Sequence, residues 1–187
     1  MKNILKPTIV LLVICIIAGS VLALIYNKTE PIIAENNRIE EENARKEVLS
    51  LADNFELVYE NNNILYYRGF DNNKLVGYVF KCSKYGYSST IKIMVGIDTL
   101  LMITGIKIVD QQETPGLGAN CTEQEFTEKF KKTNPETILA DKDGGDIVSI
   151  TGATITTRTV ANSIREKFQE LKEKFNKKNV DEGSKIK

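Results

Sequence analysis

The chain has no histidine and no tryptophan among its 187 residues. Without histidine, Ser-His-Asp and Cys-His catalysis, histidine metal sites and histidine acid–base chemistry are all excluded. Cysteine is scarce: Cys15, Cys82 and Cys121 include no pair spaced as C-x-x-C. A zinc or iron–sulfur centre built from this chain alone is therefore not expected, and no metal site is assigned. Proline is limited to four residues against 12 glycines, and 42% of the chain is apolar, which argues against a disordered, collagen-like or low-complexity protein. Nor does either charge dominate. The 25 basic and 25 acidic residues cancel, so no electrostatic footprint points to a nucleic-acid partner. Nucleotide loops of the G-x-x-x-x-G-K-[ST] type, or G-x-G-x-x-G after a strand, are also absent. Demanding chemistry here has to be carried by an organic cofactor.

What the sequence does contain begins with one long apolar run. Pro7 to Asn27 holds 21 residues without a charge. At helical rise these span roughly 31 Å, the thickness of a bilayer core. Lys2 and Lys6 precede the run, while Glu30, Glu35 and Glu40 to Glu42 follow it. The positive-inside rule then places residues 1–6 as a cytoplasmic tail, 7–27 as a transmembrane helix and the rest outside. A cleaved signal peptide is the competing reading, since Val21-Leu22-Ala23 resembles a small-residue cleavage site. The run is longer than the usual apolar core of about 7–15 residues, which favours a retained anchor. Both readings export the domain. In that compartment Cys82 and Cys121 could pair, but two separate thiols acting as small apolar residues is the favoured reading.

The exported part has the size of one domain, and without Lys2 and Lys6 it carries two more acids than bases. Residues 28–52 are expected as a stalk, helical from Pro31 to Ala52, with Glu40-Glu41-Glu42 on a solvated face. Strands are expected at Phe55–Glu60, Ile64–Phe70, Leu75–Phe80, Thr90–Ile97 and Leu101–Val109, with asparagine-rich turns at 61–63 and 71–73. Thr122 to Lys132 has the pattern of a capped helix, with Glu125 three residues after Thr122. Asp141 to Gly145 suits a turn and Asp146–Ile150 a short strand. From Thr154 to about Asn179, Val160, Ile164, Phe168, Leu171 and Phe175 recur at helical spacing. The fold class is therefore α+β: an N-terminal transmembrane helix, then an extracytoplasmic domain with an antiparallel sheet and packed helices. Residues 53–179 form its body and 180–187 a flexible tail.

Two short stretches carry the chemistry. Thr151-Gly152-Ala153-Thr154-Ile155-Thr156-Thr157 lies at a strand-to-helix junction, where free backbone N–H groups and the helix dipole favour an anion. Gly152 and Ala153 leave room for a bulky phosphate to approach. The same residues also make an ordinary threonine cap, and on composition alone that plainer reading is the commoner one. The second stretch, Glu113-Thr114-Pro115-Gly116-Leu117-Gly118, suits a tight loop that presents backbone to a flat ligand. An ordinary surface turn has the same signature. Asp141 and Asp143 lack the other ligands of a calcium loop and are taken as turn residues. Tyr85 and Tyr87 flank Gly86 in an expected hairpin, with a packing or loop role.

An N-terminal anchor, then Gly96-Ile97-Asp98, Glu113 to Gly118 and Thr151-Gly152-Ala153-Thr154 in that order resembles the G subunit of the Rnf ion-translocating electron-transport complex. It is also similar to the C subunit of the sodium-pumping NADH:quinone oxidoreductase. The resemblance covers nearly the whole chain. It implies FMN attached through a phosphoester to Thr154, with Thr151, Gly152 and Ala153 completing the motif. It also places Glu113, Thr114, Pro115, Gly116, Leu117 and Gly118 near the flavin, and it names no catalytic residue. The family's flavin-transferase motif has an aspartate three residues before the first hydroxyl residue. Val148 stands there instead, with Asp146 two positions earlier. The implied role is electron transfer within a ferredoxin:NAD⁺ oxidoreductase coupled to sodium or proton translocation, with no independent catalysis. The implied partners are the other membrane and peripheral subunits, and a flavin transferase for maturation. Two rival readings are a flavin domain of another extracytoplasmic reductase chain and an anchored non-redox binding or assembly module.

Overall fold

The computed structural model describes residues 2–60 and 63–183. The chain divides into two units, Met1–Glu40 and Glu41–Lys187. The first belongs to helix α1, which runs without a break from Lys2 to Val48. The aliphatics Ile9 to Ile17 stay exposed, and the helix is long and apolar enough to cross a membrane. Anchor and stalk are thus one helix. Pro31 lies inside it instead of starting a second one, because a proline removes only one ladder hydrogen bond and the flanking turns carry the helix past it. The helix stops at Val48, short of the expected Ala52, with Ala52 N–H returning to the Leu49 carbonyl.

The second unit is a five-stranded antiparallel meander, in sequence order across the sheet. The strands are β1 (Asn54–Glu60), β2 (Asn63–Asp71), β3 (Lys74–Tyr85), β4 (Thr90–Asp98) and β5 (Ile103–Asp110). All five expected strands are present, but β5 begins later than expected. Leu101 sits at φ 63 in the preceding turn, where the Asp98 carboxylate accepts the Leu100 and Met102 N–H groups. The turn expected at 61–63 falls on Asn61 and Asn62, which lie outside the described residues; Asn63 already pairs with Glu60.

The two faces of the sheet are covered differently. On one, Ala44, Val48 and Leu49 from the end of α1 pack on Tyr67, Val79 and Met94. On the other lies helix α3 (Thr154–Gly183), whose Val160, Ile164, Phe168, Leu171 and Phe175 enter the main core. Each such side chain contributes about 1.5–3 kcal/mol of burial. The Phe175 ring lies 4.9 Å from that of Tyr66 and 4.7 Å from that of Tyr78. Helix α3 continues past Asn179 to Gly183, because nothing between them breaks a helix. The end of the expected tail, residues 184–187, lies outside the described residues.

The segment between β5 and α3 departs most from expectation. In place of one helix over 122–132 there is a 3₁₀ turn at Gly118–Thr122, a single α-turn, α2 (Gln124–Thr127), and a second 3₁₀ turn at Glu128–Phe130. Thr122 does not cap, since its hydroxyl bonds back to the Ala119 carbonyl. The fragments persist because Phe126 and Phe130 are buried against the sheet. Asp146–Ile150 is not a strand either. It makes one parallel bridge, Ala140 with Ile147, and side chains take two of its backbone donors. Ser149 N–H goes to the Asp141 carboxylate and Ile150 N–H to Thr157 Oγ1.

Candidate functional site

The two marked stretches meet. A cavity of about 500 Å³ is lined by Glu113, Thr114, Leu117, Gly118, Gly152, Ala153 and Thr154, with Tyr87, Ile155 and Thr156 completing the wall. Such a volume accommodates a cofactor of moderate size. Gly116 and Thr151 face a neighbouring hollow, to which Leu117 also contributes, and Pro115 lines neither. The sequence assigns neither Tyr87 nor Ile155 to the site: Ile155 is read only as part of the 151–157 stretch and Tyr87 as a packing or loop residue. Tyr87 was visible as one half of a Tyr-Gly-Tyr hairpin, but nothing in that pattern places the hairpin beside residues 151–154.

Glu113 organises the site although it hardly reaches the surface, being 5% exposed. Its Oε1 accepts N–H groups of Ser88 and Ser89, both at 3.0 Å. Its Oε2 accepts Tyr87 N–H at 3.1 Å and the Thr156 hydroxyl at 2.7 Å. One carboxylate therefore joins the β3–β4 turn, the loop after β5 and the first turn of α3. Burial opposes its charge, but the Thr156 hydroxyl and the three N–H donors prevail and hold its pKa down at about 2. Two glycines make room for it. A Cβ on Gly86 would lie 2.8 Å from Glu113 Oε1, and one on Gly118 would lie 2.9 Å from Oε2 and 2.6 Å from Thr156 Oγ1.

The junction into α3 is built as tightly. Ala153 N–H closes a turn on the Ile150 carbonyl at 2.9 Å, with Gly152 at φ 74 inside it. Thr157 staples this turn, accepting Ile150 N–H at 3.1 Å and donating to the Ala153 carbonyl at 3.2 Å. The helix ladder opens with Thr157 N–H to Ala153, so the N–H groups of Thr154, Ile155 and Thr156 precede it.

The threonines thus fall into two classes. Thr156 and Thr157 are buried and their hydroxyls are committed to the fold. Thr154 is half-buried on the cavity wall, and among the described residues its hydroxyl has no hydrogen-bond partner. Thr151 is exposed on the other side of the turn. Val148 is also exposed, and Asp141, bonded to Ser149, is the carboxylate nearest in the chain with a defined contact to this segment.

Neither inner cysteine lines this cavity. Cys82 and Cys121 are free, buried thiols, as the separate-thiol reading expected. Burial pushes the Cys82 pKa up to about 12; burial and the Glu113 charge push that of Cys121 to about 11. Asp143 forms a two-pronged ion pair with Arg158, both contacts at 2.6 Å, so it braces α3 from the preceding turn. Among the described residues, no group of three or more Cys, Asp or Glu side chains is placed to hold a metal ion.

Comparison with known proteins gives this geometry a family. Residues 86–169 match the FMN-binding domain, and residues 1–48 match the RnfG N-terminal region. The G subunit of the ion-translocating oxidoreductase complex of Methanosarcina acetivorans is 33% identical, over 87% of this chain and 92% of that one. The G subunit of the proton-translocating ferredoxin:NAD(+) oxidoreductase complex of Clostridium ljungdahlii is 30% identical, over 86% and 88%. Its counterpart in the Na(+)-translocating complex of Acetobacterium woodii is 32% identical, over 90% and 91%. Among solved structures, the C subunit of the Na(+)-translocating NADH-quinone reductase of Parabacteroides distasonis shares the fold. The TM-score is 0.53 at 20% identity, covering 65% of this chain and 77% of that one. With its membrane-anchoring helix, its FMN-binding domain and these full-length relatives, the chain belongs to the G-subunit family of Rnf ion-translocating oxidoreductase complexes.

Proposed function

We propose that this chain carries FMN as a phosphoester on Thr154 and passes electrons within an Rnf-type ferredoxin:NAD⁺ oxidoreductase, whose electron flow drives sodium or proton translocation. One observation carries the reading. Of the threonines around the start of α3, Thr154 alone combines a free hydroxyl with a place on the cavity wall, while Thr156 and Thr157 are spent on the fold.

The residues present fit the group. A phosphate at Thr154 Oγ1 lies where the first N–H groups of α3 lack backbone acceptors and the helix dipole is positive. Gly152 adds no side chain at that approach. Tyr87, Leu117 and Ile155 offer apolar surface for a flat ring system. Bound here, FMN supplies the one- and two-electron chemistry that the side chains lack. Glu113 keeps the three walls together without offering a proton, because its carboxylate stays ionised and fully bonded. A covalent tether also removes the need for tight enclosure, so the cavity can stay open enough for electron exchange. In this reading the amino terminus is cytoplasmic, the flavin domain lies outside, and a separate flavin transferase makes the bond.

The test is intact mass of the denatured full chain, purified from its own membranes. It should exceed the sequence mass by one FMN less one water, and fragmentation should place the adduct on residue 154 and not on 151, 156 or 157. Thr154→Ala should return the mass to that of the bare sequence. An unshifted wild-type mass in cells with an active transferase would sink the proposal.

A further inference from the structure

Strands β2 and β3 are paired along only part of their length. Their ladder runs from Asp71–Lys74 to Tyr67–Val79 and stops there, although β3 continues to Tyr85. Among the described residues, beyond that point β2 stays with β1 while β3 pairs with β4. The hydrogen bond from Gly86 N–H to the Ser89 carbonyl fixes which residues of β3 face β4. Counting back in twos, Lys84, Cys82 and Phe80 bond to β4, so Lys81, Ser83 and Tyr85 turn their backbone groups to the side β2 has left. The Tyr85 carbonyl there meets the Thr159 hydroxyl at 3.4 Å. Among the described residues, none of the backbone hydrogen bonds formed outside helices and strands uses Lys81 or Ser83.

This gap is a slot with two walls. A cavity of about 390 Å³ lies along Lys81, Cys82 and Ser83, between Glu41 at the end of α1 and Ser163, Glu166 and Lys167 on α3. A smaller one, about 160 Å³, separates Lys81 from Ile64 and Leu65 of β2. Ser163 lines the larger cavity. It is 4% exposed, and its hydroxyl has no hydrogen-bond partner among the described residues. Its polar neighbour there is the Cys82 thiol, which hydrogen-bonds only weakly. The charged walls are neutral in pairs: Lys81 with Glu41, Lys92 with Asp110, Lys167 with Glu170. What remains unanswered is a row of alternating backbone donors and acceptors and one buried hydroxyl.

We propose that an extended segment of a partner subunit docks here by strand addition, pairing its backbone with Lys81 and Ser83 of β3. An extended peptide is the ligand whose spacing of N–H and C=O groups matches that row. The paired walls select small or uncharged side chains on the guest, one of them polar and able to reach Ser163. The inference rests on membership of an assembly of several subunits and not on the flavin, so the mass test on Thr154 can fail while this one succeeds, and the reverse.

Amide hydrogen exchange resolved to single residues, on the purified full chain and on the assembled membrane complex, tests it. In the isolated chain the amides of Lys81 and Ser83 should exchange freely, while those of Cys82 and Lys84 are protected by β4. In the complex Lys81 and Ser83 should slow by about 100-fold or more, with Cys82 and Lys84 unchanged. Equal exchange in both states overturns the proposal. So does protection that grows with concentration in the isolated chain, since that marks a second copy as the guest. Ser83→Pro removes the outward donor while leaving the β4 ladder whole, and should abolish co-purification with the membrane subunits; Ser83→Ala should not. A folded Ser83→Pro chain that still assembles overturns the proposal equally, and the exchange measurement decides if that variant fails to fold.

Discussion

Where α1 ends, strands β2 to β5 present Gly69, Gly77, Gly96 and Gly105, which lie close to one another across the sheet. Leu49 and Val48 fill the space this leaves. A Cβ on Gly96 would collide with the Val48 carbonyl, and one on Gly77 would lie 3.0 Å from Leu49 Cδ1. Around the cavity, Gly86 and Gly118 likewise make room, for Glu113, but Gly116 and Gly152 do another job. Gly116 has φ 74 and open space where a Cβ would stand, and Gly152 has φ 74 with Leu117 as the one close neighbour of its Cβ position. The first region uses glycine for what it lacks in volume; at Gly116 and Gly152 the second uses it for the conformation it permits. Residue type does not distinguish a packing glycine from a binding one; the surroundings do.

The sharpest way to break that contrast is Gly96→Ala. Its Cβ meets backbone, which cannot turn aside, and would also lie 2.7 Å from Thr104 Oγ1. We expect a loss of about 3 kcal/mol, at the upper end of ordinary overpacking, and a fall in thermal midpoint of roughly 10 °C. Gly105→Ala, paired with it on β5, is the control. Its nearest new contact is 3.4 Å from Val48 Cα, so it should cost less than about 1 kcal/mol. Equal losses at the two positions would mean that α1 does not seat its end on the sheet in this way.

Next in size is Glu113, which belongs to the cavity but behaves like a core residue. Its pKa is about 2 in the folded chain against 4.5 unperturbed, so it stabilises the fold above the higher value. The contribution is about 3 kcal/mol at neutral pH, lost as pH falls from about 5 towards 2. Denaturant unfolding at pH 7 and pH 3 should show that slope in wild type and a much flatter one in Glu113→Gln. An unchanged slope would mean that the carboxylate is not bonded as described.

Smaller again is Gly116→Ala. With space available and only φ to strain, about 1 kcal/mol should be lost, and Gly116→Asn should lose less because asparagine tolerates this region better. A loss as large as that for Gly96 would erase the distinction between the two regions.

Legibility in the sequence follows the same division. The anchor, the meander and α3 were readable because each repeats a pattern many times, whether an uncharged run, an alternation or a helical stripe. The helix expected over 122–132 breaks into short turns because its cap is not made: Thr122 spends its hydroxyl on Ala119. Asp146–Ile150 has the apolar content of a strand, but Asp141 and Thr157 answer its donors from a distance no local pattern encodes. The glycines under Val48 each look like a weak point in a strand, and only the sheet register aligns them. At the cavity the two motifs were visible separately. That Glu113 faces inwards and binds Thr156, leaving Thr154 free, is a tertiary fact.

That last distinction gives the smallest expected change in stability and the most informative one. Thr154→Ala removes a hydroxyl with no partner among the described residues from a half-buried position, and alanine is the better helix former, so unmodified chain should unfold within about 0.5 kcal/mol of wild type. Thr157→Ala leaves the Ile150 N–H without its acceptor and unlocks the turn into α3, which should cost about 1–2 kcal/mol. Measured on chain made without a flavin transferase, the two variants compare hydroxyls three residues apart in one helix. If Thr154→Ala is the more damaging, its hydroxyl is already committed to the fold, and the argument for it as the point of attachment loses its physical basis. If Thr157→Ala is, the helix start has been built so that one threonine holds the structure and its neighbour is left available for chemistry.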